Sequence, residues 1–325
     1  MKKIFFTIIG IAGIAFFAAA QGPSLADLSL KKLQNYPYRA SPLVITELAS
    51  QTNEYYAYNF SYTSMGLKVT GRFSLPKQDP SLLKGVVIML RGHQNAQGYY
   101  TGKGTENPAR YYMRGSYAVI APDFLGYAGS AATPQPEEAH QFFSTINAVE
   151  LYESLLRPAF SYAASVPAAS RAALPSSFKK IVLWGHSNGG QVAIHFLEVT
   201  KKPVPTVLWA PVSLDFPQSM VNYQRNRAWA ETFKKNYPAE DYSLFRFMDS
   251  IAPGTPILLE QGTRDYAVPK AWSDAFSKGI EGENNSRQSA EKIALEYKVF
   301  EGANHNLNPF WSTIFSGDLA FWDAH

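Results

Sequence analysis

Hydrophobic positions in this chain change rhythm near residue 85. Before it, Tyr55 to Leu75 alternates apolar and polar residues, which predicts two antiparallel strands turning near Ser64-Met65-Gly66. After it, short continuous apolar runs recur at Gly85–Leu90, Tyr117–Ala121, Lys180–Trp184, Thr206–Trp209, Pro256–Leu259 and Leu295–Phe300. Most lack polar alternation, as parallel strands covered on both faces do. The stretches between them include helix candidates at Ala109–Arg114, Ala139–Leu156, Gly189–Val199 and Lys270–Lys278, with another at Pro309–Ala324. Strand and helix in series predict an open α/β sheet with right-handed crossovers. Two hairpin strands and six apolar runs make it an eight-stranded, mostly parallel sheet flanked by helices.

One interval breaks the rhythm. Between Val212 and Pro256 no strand pattern appears, and aromatic residues such as Tyr223, Trp229, Phe233 and Tyr242 alternate with charged ones. A connection of that length is unusual and often functional. It predicts a helical cap insertion over residues 213–254, within one domain spanning residues 21–325. Gln21 to Pro42 reads as a polar lead-in without period, and Pro76 to Lys84 as a loop.

The run ending at Trp184 leads into Gly185-His-Ser-Asn-Gly-Gly190, and a helical stretch follows from Gln191. G-x-S-x-G between a strand and a helix is the context of a nucleophile elbow. Such a turn forces Ser187 into strained backbone angles, and glycine at 185 and 189 avoids collisions with neighbouring backbone. A serine hydroxyl needs a base to become nucleophilic, and the base needs an orienting acid. In this arrangement serine is followed along the chain by the acid and then by the histidine. After Ser187 the histidines are His195, His305 and His325. His195 lies two turns down the helix and reads as structural; His325 ends the chain. His305 follows the last predicted strand, so it is the expected base. Asp265, in the turn after the Pro256 strand, is the expected acid. Asp215, Glu260 and Glu301 are its rivals, and helix capping near Pro269 is its alternative role. The tetrahedral oxyanion needs preoriented donors. The N–H of Asn188 is one; the loop Arg91-Gly92-His93-Gln94 supplies the other, from His93 first and Gln94 second.

These blocks resemble the α/β-hydrolase superfamily. The Gly-His-Ser-Asn-Gly-Gly turn is similar to its nucleophile elbow, Gly262-Thr-Arg-Asp-Tyr-Ala-Val-Pro269 to its acid loop, and Gly302-Ala-Asn-His305 to its histidine loop. Tyr112 to Ser130 is similar to a stretch frequent in prolyl-oligopeptidase-like and dienelactone-hydrolase-like members. The resemblance covers roughly Gly66 to the end and implies an α/β-hydrolase fold. Arg91-Gly92 departs from the His-Gly usual among relatives, and Ala128-Gly129-Ser130 from a Gly-x-Ser pairing. The residues ahead of the fold are too few for the β-propeller of full prolyl oligopeptidases.

Composition narrows the function. Hydrophobic residues make up 46% and charged residues 17%, which suits a large core. The net charge of +4 forms no dense basic stripe, so nucleic acid is not an expected partner. Lys2-Lys3, the apolar run Ile4–Phe17 and Ala18-Ala19-Ala20 read as a signal peptide over residues 1–20, cleaved before Gln21. The chain has no cysteine, which rules out a cysteine lipid anchor, disulfides and thiolate metal sites. The expectation is therefore a secreted or periplasmic serine hydrolase of carboxylic esters with no stable membrane anchor. It would use Ser187, Asp265 and His305 and take a small-molecule ester or short peptide without metal or organic cofactor. The aromatic insertion suits an acyl or aryl pocket, as in a carboxylesterase or a feruloyl or acetyl esterase. A peptidase on short peptides is the alternative. A non-catalytic binding protein is disfavoured, because a candidate for every triad position is present.

Overall fold

The computed structural model describes residues 24–134, 139–171, 174–216 and 227–325. The leader over residues 1–20, residues 217–226 of the insertion and the Trp229 side chain lie outside what is described.

Ten strands among the described residues form one sheet. They are β1 (Leu43–Gln51), β2 (Tyr55–Ser64), β3 (Leu67–Pro76), β4 (Gly85–Leu90), β5 (Tyr117–Pro122), β6 (Phe160–Tyr162), β7 (Ile181–His186), β8 (Thr206–Trp209), β9 (Pro256–Gly262) and β10 (Ala294–Phe300). Their order is β10-β9-β8-β7-β4-β5-β3-β2-β1-β6. From β10 to β5 every pairing is parallel; β3, β2 and β1 then add an antiparallel edge. The β2–β3 hairpin turns at Met65 and Gly66, both at positive φ, where the sequence put the turn. The two strands beyond the eight expected are β1 and the three-residue β6, which pair with each other in parallel. Their burial is mixed, so their sequence lacks a clean apolar signal.

Helices α1 (Leu30–Leu33), α2 (Glu106–Arg114), α3 (His140–Leu156), α4 (Asn188–Thr200), α5 (Arg227–Asn236), α6 (Lys270–Ser286) and α7 (Trp311–Ala324) cover the sheet. Strand β4 divides the core by its two-residue period. Val86, Ile88 and Leu90 join a cluster with Phe142 of α3 and Phe196 of α4, whereas Val87 and Met89 join Tyr112 of α2 and Phe315 and Trp322 of α7. Burial on both faces explains why the central strands read as unbroken apolar runs. At the sheet edge, β10 is only partly covered, which accommodates Glu296 and Lys298.

The lead-in is tied to the body. Leu25, Leu28, Leu30 and Leu33 are buried, and Gln34 Nε2 donates to the Glu198 carbonyl of α4. The described part of the insertion packs on the same side. Phe216, Phe233 and Tyr242 meet edge to face, with Phe142 of α3 against Phe216, at ring separations of 5.0–5.1 Å. The Tyr242 hydroxyl donates to the Leu25 carbonyl at 2.9 Å.

Candidate active site

Strand β7 ends at His186, and the chain reverses into α4 at Ser187. Its backbone lies at φ 56°, ψ −120°, a strained region for a residue with a side chain. The glycines around it are required by contact. A Cβ on Gly189 would lie 1.9 Å from the Leu90 carbonyl oxygen, and one on Gly185 would lie 2.6 Å from the Gly189 carbonyl oxygen. The turn is held by the Ser187 N–H donating to the Trp209 carbonyl, and by the Val212 N–H donating to the Ser187 carbonyl. Ser187 is 5% exposed, and among the described residues its hydroxyl makes no hydrogen bond.

Asp265 follows β9 and His305 follows β10, so both stand on the carboxyl rim that carries Ser187. Asp265 Oδ2 accepts from His305 Nδ1 at 2.8 Å and from Gln261 Nε2 at 3.1 Å. Its Oδ1 accepts from the Ala267 and Val268 N–H groups at 2.9 and 2.8 Å. Helix α6 begins later, with Pro269 at its N-cap, so Asp265 holds its own loop and the histidine rather than capping the helix. Burial pushes its carboxyl pKa up. Hydrogen bonds from His305, Val268 and Ala267 outweigh that and bring it below the ordinary value. The carboxylate can only accept, so His305 Nδ1 carries the proton. The Nε2 lone pair of the neutral ring is then free to act as a base. The two loops are laced together: Arg264 N–H donates to the Ala303 carbonyl and Gly302 N–H to the Thr263 hydroxyl. A Cβ on Gly262 would lie 2.3 Å from the Ala303 oxygen.

His186 joins His305 to the serine turn, a role that no motif in the sequence assigns it. Its ring lies 4.6 Å from that of His305, and its Nε2 donates to the His305 carbonyl at 3.0 Å. Burial, and then the nearby His305, lower its pKa to about 4, so it stays neutral at physiological pH. Only its position before Ser187 could have signalled this.

The loop after β4 reaches the serine as expected. A Cβ on Gly92 would stand 3.1 Å from the Ser187 Cβ. Among the described residues the His93 N–H makes no hydrogen bond, and the Asn188 N–H begins α4, where no intrahelical acceptor exists. Gln94 is engaged from the other side, its carbonyl accepting from the Tyr127 hydroxyl. Arg91 is buried and braces this loop. Its guanidinium donates to the Asp123 carbonyl at 2.8 Å and to the Gly92 carbonyl at 3.0 Å, and lies 4.0 Å from the Tyr127 ring centroid. Ser130 has a structural place too, its hydroxyl accepting from the Thr70 N–H at 2.9 Å.

The remaining candidates stand apart. His195 is buried between α4 and α3 with Nδ1 2.9 Å from the Thr145 hydroxyl, and burial lowers its pKa to about 3. His325 is exposed at the end of α7. Asp215 is exposed beside Ser213, and Glu301 is exposed. Glu260 is fully buried beneath α7, near Asp318. Among the described residues no group of three or more His, Cys, Asp or Glu is placed to hold a metal ion, and no helix is long and apolar enough to cross a membrane.

The strained serine turn on the carboxyl rim of this sheet coincides with a match over residues 105–312 to the alpha/beta hydrolase family model. The chain belongs to the alpha/beta hydrolase family. Solved structures share the family fold. An acetyl xylan esterase from Thermoanaerobacterium sp. is 15% identical with a TM-score of 0.60, over 92% of this chain and 95% of that one. An esterase from Pyrococcus furiosus is 19% identical at 0.54, over 89% and 98%. A puromycin-hydrolyzing peptidase from Mycobacterium tuberculosis is 17% identical at 0.56, over 79% of this chain but 37% of that one. No curated protein matches the chain.

Proposed function

We propose that this α/β hydrolase cleaves carboxylic esters through an acyl-enzyme, with Ser187 as nucleophile, His305 as base and Asp265 as orienting acid. The observation that carries the reading is the 2.8 Å bond from His305 Nδ1 to Asp265, on the rim where Ser187 is held at positive φ. His305 Nε2 takes the Ser187 proton as Oγ attacks the carbonyl carbon. The tetrahedral oxyanion receives the Asn188 N–H and the His93 N–H. The intermediate collapses as His305 returns the proton to the leaving alcohol. Water then repeats the sequence in reverse and frees the acid. A fluorophosphonate should label the protein at Ser187, and p-nitrophenyl acetate should give a burst of nitrophenol. Absence of both overturns the assignment.

The fold shared with a peptidase favours a second reading, hydrolysis of short peptides, which needs the same groups plus recognition of an amine. Faster turnover of proline-containing peptide anilides than of esters would select it. We further propose export, supported by the basic, apolar and small-residue segments of residues 1–20. The mature protein should begin at Gln21 on N-terminal sequencing after expression in a secreting host. Retention of Met1 in the exported fraction would refute it.

A further inference from the structure

A cleft of about 350 Å³ opens beside His186 on the carboxyl rim. It is lined by Tyr100 of the loop before α2, by Glu106 and Asn107 at the start of α2, and by Asn306, Asn308 and Trp311. Trp184, His186 and Trp209 line it from the ends of β7 and β8. The volume lies in the range that holds small molecules.

Its chemistry is selective. No lysine or arginine lines it, whereas three other clefts among the described residues carry Arg72 and Arg110, Lys77, or Lys31, Lys201 and Arg246. The Glu106 carboxylate, held at 2.8 Å by the Tyr100 hydroxyl, disfavours an anion. Pro108 is the one aliphatic side chain on its walls, which disfavours an acyl tail. What remains is the exposed Tyr100 and partly exposed Trp311 with three exposed asparagines, since Trp184 and Trp209 are only 1% and 2% exposed. An asparagine both donates and accepts, as a hydroxyl does, and an indole or phenol face covers an apolar ring surface. The buried indole N–H of Trp184 has no acceptor among the described residues.

The cleft also adjoins the histidine loop. His186 is the shared wall, 4.6 Å from the His305 ring. Asn306 follows His305 directly, and its carbonyl accepts from Trp311 Nε1 at 2.6 Å. A group seated there is separated by His186 and Asn306 from His305, the residue that would protonate the leaving alcohol.

We infer that this cleft is a subsite for a neutral polyhydroxylated group, a sugar ring, which forms the alcohol side of the ester. The inference rests on the esterase reading for its place in the reaction, but not for binding. Two measurements keep them apart. The first titrates the protein with unacylated xylobiose and cellobiose and follows tryptophan fluorescence. A saturable change below about 50 mM is expected, the weak-millimolar range of a small subsite. The second compares KM for an acetylated methyl xyloside and for p-nitrophenyl acetate in Tyr100→Ala and Asn107→Ala. The sugar ester should lose affinity by roughly fivefold or more, and the small ester by a clearly smaller factor. Circular dichroism and thermal melting of both variants identify any folding defect, and the titration of the unaltered protein stands whatever they give. The subsite is overturned if neither sugar gives a saturable change, if both KM values rise alike, or if choline binds more tightly than either sugar. Sugar binding without ester turnover would sink the esterase reading and leave the cleft. Ester turnover without sugar binding would do the reverse.

Discussion

Ser187, Asp265 and His305 divide the proposed chemistry, and each has its own expected failure. Ser187→Ala should abolish fluorophosphonate labelling and lower kcat by about 10⁴-fold or more, as removal of a triad nucleophile does. Asp265→Asn should cost about 10⁴ in kcat, because an amide no longer fixes the proton on His305 Nδ1. Asp265 also links stability to pH. Its folded pKa lies below the ordinary 3.8, so its contribution is present above that value and lost as pH falls through the folded one. Acid unfolding followed by circular dichroism should therefore be less steep below about pH 4 in Asp265→Asn. An unchanged acid limb would show that the carboxylate is not linked to folding. Arg91 is a positioning residue. Lysine cannot donate to the Asp123 and Gly92 carbonyls in the same planar fork while lying against Tyr127. Arg91→Lys should lower kcat more than it raises KM, because the Gly92-His93 loop carries the proposed oxyanion donor. An equal loss in kcat and in thermal stability alone, with kcat recovered at low temperature, would reduce Arg91 to a structural role.

At the scale of elements, the turn between β7 and α4 is the joint on which the site depends. Its glycines exclude side chains because Gly189 lies against the end of the neighbouring strand β4 and Gly185 against the backbone of Gly189 and Gly190. Gly189→Ala would drive a methyl against the Leu90 and Arg91 carbonyl oxygens at 1.9 and 2.6 Å. It should destabilise the protein by about 1–3 kcal/mol or more, the usual cost of overpacking. Urea denaturation measures this, and a midpoint equal to that of the parent would contradict the close approach. This joint was legible from its residues, since the motif, the strand before it and the helix after it are all local. The antiparallel edge was legible only in part. The β2–β3 hairpin has alternation and a turn glycine, whereas β1 and β6 acquire their identity by pairing with each other. The lead-in read as a periodless tail, yet its four leucines are buried under α4 and the insertion. Their spacing forms no helix long enough to leave a pattern.

Across the whole molecule, α7 docks on the sheet over a buried pair of carboxyls. Glu260 of β9 and Asp318 of α7 are both fully buried, and the Asp318 carboxyl lies close enough for its charge to raise the pKa of Glu260, which disfavours both being ionised together. Tyr112 of α2 and Trp209 of β8 donate to Asp318 Oδ2 at 2.7 and 3.2 Å, and Lys298 and Glu296 of β10 lie nearby. Burial raises Asp318 from the ordinary 3.8 to about 7, against the hydrogen bonds that lower it, and holds Glu260 well above its own ordinary range. Groups with raised folded pKa values contribute stability that is full below the unfolded value and lost as pH rises through the folded one. Melting temperature should therefore fall as pH rises from about 4 to about 7, more steeply than in Asp318→Asn, where one of the two buried titrating carboxyls is gone. Parallel curves for the two proteins would refute the linkage.

By itself the sequence determined the fold class, the serine turn and the two loops expected to meet it. Apolar runs declare buried parallel strands, and glycine where no Cβ fits declares a sharp turn. Both are local properties of the chain. Only the tertiary structure decided what lies between those pieces. His186 against His305, the Arg91 brace, the buried carboxyls under α7 and the cationless cleft join residues far apart in sequence. Their chemistry comes from proximity and loss of water, which no single segment encodes.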